Sequence, residues 1–224
     1  MSATALTIPL WADLLAVTIG SLQGALFASQ FRERRVDLLG VAIIGTATGL
    51  GGGILRDVLL GEVPRALGTN WYLAVAVLAA LLGMLLQRLF NRLAGFITVL
   101  DALTIGLFGA IGSTKALAMG LPAIPAVFVG VISAVGGSVL RDLLMNLTIA
   151  MMHVGSLYAV AAGAGTAVLV TMVLIGVPTI AAAVTGTIVT VVIRLLAVRF
   201  GWSLPEQRAL SRLPAGVARA SVPP

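Results

Sequence analysis

The sequence predicts an all-α membrane protein of seven transmembrane helices. Six form two inverted three-helix repeats, a seventh helix is added, and helices 2 and 5 are kinked at glycine-rich breaks. Three observations carry this expectation. The 224 residues are 59% hydrophobic and only 10% charged, with a mean hydropathy of +1.11, whereas soluble domains are about a quarter charged. Seven apolar runs, each close to the roughly 20 residues that span a bilayer as a helix, account for most of the length. Finally, an unusual motif, glycines followed by an Arg-Asp pair, occurs twice.

The apolar runs occupy 10–31, 36–60, 72–90, 96–119, 123–147, 155–176 and 178–198. The first does not read as a signal peptide, because no basic residue precedes it and Arg32, Arg34 and Arg35 follow it. That charge order retains it as a span with its N-terminus outside. Alternating from there, one side receives Arg32, Arg34, Arg35, Arg88, Arg92, Arg141, Arg194, Arg199, Arg208, Arg212 and Arg219, and the other receives Arg56, Arg65 and Lys115. Eleven against three is a positive-inside bias that places the N-terminus outside and the C-terminus in the cytoplasm. Residues 1–202 then form the transmembrane domain. The stretch 203–224, rich in Pro, Arg and small residues, reads as a flexible cytoplasmic tail.

The two copies of the motif are "GLGGGILRDVLL" at 49–60 and "AVGGSVLRDLLM" at 134–145. Gly51 and Gly52 match Gly136 and Gly137, Arg56 and Asp57 match Arg141 and Asp142, and Gly45 matches Gly130. Upstream, Asp13 and Gly24 match Asp101 and Gly112. Residues 10–92 and 96–176 are therefore two copies of a three-span unit. Three crossings is an odd number, so the copies face opposite ways across the membrane, and 178–198 has no counterpart. Inverted repeats with paired glycine-interrupted helices point to a transport or conduction path.

Gly51, Gly52 and Gly53 each lower helix propensity by about 1 kcal/mol relative to Ala. Two readings follow. A break beside a cavity would free carbonyls as cation ligands, and the next half-helix would offer a positive N-terminus. Alternatively, the glycines let helices approach closely. At 1.5 Å per residue, Gly51 lies about 22 Å into a span starting at Val36, which carries Arg56 toward the outer boundary and Arg141 toward the cytoplasmic one.

Arg56 and Arg141 are open to a snorkelling reading and to a pathway reading. Helix neighbours point about 100° apart, so pairing with acids on other helices, such as Asp13 or Asp101, is expected over pairing with Asp57 or Asp142. Asp13 and Asp101 suit either a helix dipole or the pathway. Lys115 stands where the first copy has Phe27 and is either an interfacial anchor or an asymmetric gating element. Hydroxyls inside the spans, among them Thr48 and Ser133, bond their own backbone or supply a polar lining.

Other function classes find little support. Cysteine is absent, which excludes disulfides and thiolate chemistry, and His153 is the only histidine. The net charge of +6 is spread between spans rather than gathered on a nucleic-acid-binding face. A membrane enzyme would need a nucleophile, base or metal cluster, and the sequence offers none.

"GLGGGILRDVLLGEVP", its partner "AVGGSVLRDLL" and "IGSTKAL" at 111–117 together resemble the trimeric intracellular cation (TRIC) channel family in its prokaryotic branch. The resemblance covers about 10–198. It implies a homotrimer in a prokaryotic inner membrane, with a pore in each protomer along the kinked second and fifth helices. It also implies conduction of monovalent cations, chiefly potassium and also sodium, with no cofactor beyond bound lipid. Gly51, Gly52, Gly53, Gly136 and Gly137 would be the kinks beside the pore. Arg56, Asp57, Arg141 and Asp142 would organise the path. Lys115 resembles a lysine that animal members carry near a phosphoinositide site, but the acid and valine that follow it there are replaced by Ala116 and Leu117. Related duplicated three-span bacterial proteins imply the alternative, a secondary transporter of a small solute such as glycine.

Overall fold

The computed structural model describes residues 9–29, 36–90, 94–152 and 157–203. His153, Arg32, Arg34, Arg35 and Arg92, and the tail beyond residue 203 lie outside these. Seven long helices follow one another: α1 (Leu10–Ala28), α2 (Leu38–Leu59), α3 (Asn70–Phe90), α4 (Ala94–Ala118), α5 (Ala123–Leu144), α6 (Tyr158–Leu174) and α7 (Thr179–Phe200). A one-turn helix, Arg65–Gly68, links α2 to α3, and a 3-10 turn, Ala150–Met152, stands at the matching place before α6. Five of the long helices are apolar and long enough to cross a membrane, and shorter apolar stretches, 70–86 and 158–174, make up the remaining two. At 1.5 Å per residue the 22-residue α2, α5 and α7 reach about 33 Å, which matches a bilayer core of about 30 Å.

Local sequence accounts for the helix ends. Pro9, Pro122 and Pro178 stand at the N-caps of α1, α5 and α7, where a proline carbonyl can open the helix without needing an N–H. Asp37 caps α2 by accepting from the Gly40 amide at 2.7 Å. The ends of α2 and α5 close in the same way: Glu62 N donates to Asp57 O at 2.9 Å and Leu147 N to Asp142 O at 2.8 Å. These six-to-one bonds require a left-handed residue. Gly61 supplies it at φ 70° and Asn146 at φ 47°.

Helices α1, α2 and α3 pack on one another, as do α4, α5 and α6, and the two groups meet chiefly where α2 crosses α5. Helix α7 lies against α6 and α4. Leucines, isoleucines and valines point outward from every long helix except the tightly enclosed parts of α4, the surface that lipid tails would cover. Trp11, Trp71 and Trp202 are exposed near helix ends, the positions of an interfacial aromatic belt.

Candidate functional site: two buried charge clusters on a glycine crossing

Both glycine runs sit at the crossing of α2 and α5. A Cβ placed on Gly52 would come 2.1 Å from the Ser133 carbonyl oxygen, and one on Gly137 2.1 Å from the Thr48 carbonyl oxygen. Gly51 likewise faces the Gly137 backbone, and Gly136 faces that of Gly52. These contacts exchange under the repeat, so the crossing is self-complementary. The chain stays α-helical across both runs, which corrects the expectation of carbonyls freed from the helix. Close approach is what Gly52 and Gly137 make possible. Gly53 differs: its nearest neighbour for an added Cβ is the end of Arg56, at 3.8 Å. It opens onto a narrow cleft lined also by Asp13, Gly49, Arg56, Tyr72 and Phe108.

The first charge cluster gathers at the end of α2. Arg56, in the last turn, is 1% exposed and Asp57 beside it 1%. Arg56 Nε donates to Asp57 Oδ1 at 2.7 Å, and its Nη1 lies 3.7 Å from Asp13 Oδ1 on α1. The expectation that neighbours would not pair is thus corrected: the long arginine side chain folds back along the helix, which angular separation at Cβ does not forbid. Asp57 also accepts from Lys115 Nζ of α4 at 2.8 Å and from the Arg65 amide at 2.8 Å. Lys115 reaches Glu62 as well. With only about 5% exposure, Lys115 is no headgroup anchor. Asp13 accepts from the Tyr72 hydroxyl at 2.7 Å and faces the Arg65 guanidinium at 3.6 Å.

The second cluster repeats this plan at the end of α5. Arg141 Nη2 lies 2.8 Å from Asp142 Oδ1, and its Nε donates to the same oxygen at 2.9 Å. Asp101, the match of Asp13, accepts from the Tyr158 hydroxyl at 3.0 Å and from Gln23 Nε2 at 3.3 Å, with Arg194 Nη2 at 3.4 Å. The copies differ at the corner that Lys115 occupies, as well as in the partners of Asp13 and Asp101. Where Lys115 and Glu62 pair in the first cluster, Phe27 lies under the Arg141 guanidinium, 3.8 Å from ring centroid to carbon, and shares an apolar cluster with Leu147.

Asp13, Asp57 and Asp101 are thus each met by donors from several elements, as burial in a membrane interior demands. Sequence reasoning missed Tyr72 and Tyr158, although they are the only two tyrosines and open the third span of each copy. Glu62, Arg65, Gln23 and Arg194 were missed for want of any local pattern. The hydroxyls divide: Thr48 donates to Ile44 O at 2.7 Å within its own helix. Ser21, Ser113 and Ser133 have buried oxygens without a hydrogen-bond partner.

Against known proteins, a family model described as glycine transporter matches residues 10–88 and 98–174, one segment in each repeat. The chain belongs to this family. A UPF0126 membrane protein of Deinococcus radiodurans is 36% identical over 157 residues, covering 69% of this chain and 72% of that protein. The UPF0126 inner membrane protein YadS of Escherichia coli strain K12 is 34% identical over 202 residues, covering 87% of this chain and 94% of YadS. Among solved structures, a chain determined in work on the structural basis for conductance through TRIC cation channels superposes with a TM-score of 0.79 at 31% identity, covering 88% of this chain and 96% of that one. The TRIC trimeric intracellular cation channel orthologue from Rhodobacter sphaeroides gives 0.78 at 28% identity, covering 86% and 97%. The chain thus shares the TRIC channel fold, a multi-pass membrane architecture of two inverted repeats and a seventh helix.

Proposed function

We propose that this protein is a monovalent cation channel, chiefly for potassium, that assembles as a homotrimer with a separate path in each protomer. The observation that carries this reading is the likeness, over most of both chains, to a chain solved as a TRIC cation channel. In this reading the path runs beside the crossing of α2 and α5, between the two charge clusters. Gly51, Gly52, Gly53, Gly136 and Gly137 shape it. Arg56, Asp57, Arg141, Asp142, Asp13, Asp101 and Lys115 set its charge, and Thr48 and Ser133 add polar surface.

An arginine beside a cation path needs neutralising, because an unpaired one repels the ion. Charge balance supports the reading here. The first cluster sets Asp13, Asp57 and Glu62 against Arg56, Arg65 and Lys115, and the second sets Asp101 and Asp142 against Arg141 and Arg194. Residues 1–202 would form the channel and 203–224 a cytoplasmic tail. The protein would sit in the inner membrane of a prokaryote with its N-terminus outside, meeting lipid and cations but no nucleic acid, and performing no chemical step.

A second reading, secondary transport of a small solute such as glycine, is favoured by the description of the matching family model. Planar-bilayer recording in potassium chloride separates the two. Unitary currents support the channel. Saturable, counterflow-capable uptake without such currents supports the transporter. Within the channel reading, Arg56→Gln must alter conductance or open probability; unchanged records would remove Arg56 from the mechanism.

A further inference from the structure

Helix α7 belongs to neither repeat, yet it reaches the second charge cluster. In the first cluster Asp13 receives a tyrosine hydroxyl and, at 3.6 Å, the guanidinium of Arg65 from the short helix after α2. The corresponding place in the second repeat is the turn Ala150–Met152, whose residues are Ala, Met and Met and carry no charge. Arg194 of α7 stands in for the missing cation. Its Nη2 is 3.4 Å from Asp101 Oδ2, and its guanidinium carbon lies 4.8 Å from the Tyr158 ring centroid.

The seating of α7 aims this side chain. Thr187, Thr190 and Arg194 are spaced to share one helix face. Thr187 Oγ1 donates to Gly106 O of α4 at 3.3 Å, and Thr190 occupies the space that a Cβ on Gly165 of α6 would need. Both glycines therefore let α7 approach until Arg194 meets Asp101, where its side chain is 11% exposed. Arg65 is more open, at 38%.

We propose that Arg194 is the second repeat's replacement for Arg65, a charge-determining residue supplied from outside the repeat. It neutralises Asp101 and so sets the net charge at the second mouth of the path. The inference rests on the channel reading above. Helix α7 is then a component of the permeation machinery rather than a peripheral addition.

Reversal potentials in a potassium chloride gradient, measured in planar bilayers, test it. Arg194→Gln leaves Asp101 uncompensated. It is expected to raise the potassium-to-chloride permeability ratio about two- to fourfold, the effect of one charge about 10 Å from the ion in a mostly aqueous mouth. Arg194→Lys and the pair Arg194→Gln with Asp101→Asn are expected to keep the unmodified ratio, which loss of packing alone would not produce. If Arg194→Gln does not yield folded protein, Asp101→Asn alone reads the pairing from the other side and must lower the ratio by a similar factor. Unmodified currents with no change of ratio in these variants overturn this inference alone. Absence of current from the unmodified protein overturns it together with the channel reading.

Discussion

Substituting alanine along the glycine triplet should produce a graded response, because the three positions face different surroundings. At Gly52 the new Cβ would lie 2.1 Å from the Ser133 carbonyl oxygen, where contacts under 3.0 Å are essentially never seen. The obstacle is backbone of a packed helix, so α2 and α5 must part by about 1 Å. Overpacking of this kind costs about 1–3 kcal/mol. For a chain of this size each kcal/mol moves the unfolding midpoint by about 2–4 °C, so Gly52→Ala should lower Tm by about 2–12 °C. At Gly51 the nearest obstacle is Leu140 Cδ1 at 2.5 Å, the end of a flexible side chain, and the loss should be smaller. At Gly53 nothing lies closer than 3.8 Å, and alanine should be neutral or stabilising by up to about 1 kcal/mol through helix propensity. Thermal unfolding in detergent, followed by the loss of monodisperse elution, reads all three. A Gly53→Ala variant as damaged as Gly52→Ala would refute the close-crossing account.

Gly53 borders the cleft at the first cluster, so Gly53→Ala should cut potassium flux without lowering Tm. Equal flux would place the path elsewhere. Tyr72→Phe and Tyr158→Phe each remove a donor to a buried carboxylate, and each should cost about 1.5–3 kcal/mol in thermal unfolding. Lys115→Phe leaves Asp57 and Glu62 short of a cation and should cost about 3–5 kcal/mol. Adding Glu62→Leu, which reproduces the Phe27 and Leu147 pairing of the other repeat, should recover part of that loss. A double variant no better than the single one would contradict the equivalence of the two corners.

Much of this was legible in the residues. Each apolar run lies within a few positions of a helix because hydropathy reports burial in lipid directly. The duplicated "LRD" showed in advance that Arg56 and Arg141 end equivalent helices. The glycines were legible as a pair but not in their role, since whether a glycine frees a carbonyl or admits a neighbouring backbone depends on the crossing partner. Pairing was the least legible layer. Arg56 turns back on Asp57 because a long side chain has conformational reach that a helical wheel ignores. Tyr72 and Tyr158 could have been found by extending the repeat alignment into the third span. Arg194 could not, because it enters from a helix without a repeat partner.

Conduction by this protein is tested most directly by ion and solute flux through the purified protein in liposomes. Potassium flux is expected to stand well above that of protein-free liposomes, driven by an imposed gradient and indifferent to glycine. Saturable glycine uptake, with potassium flux no greater than in protein-free liposomes, would contradict it.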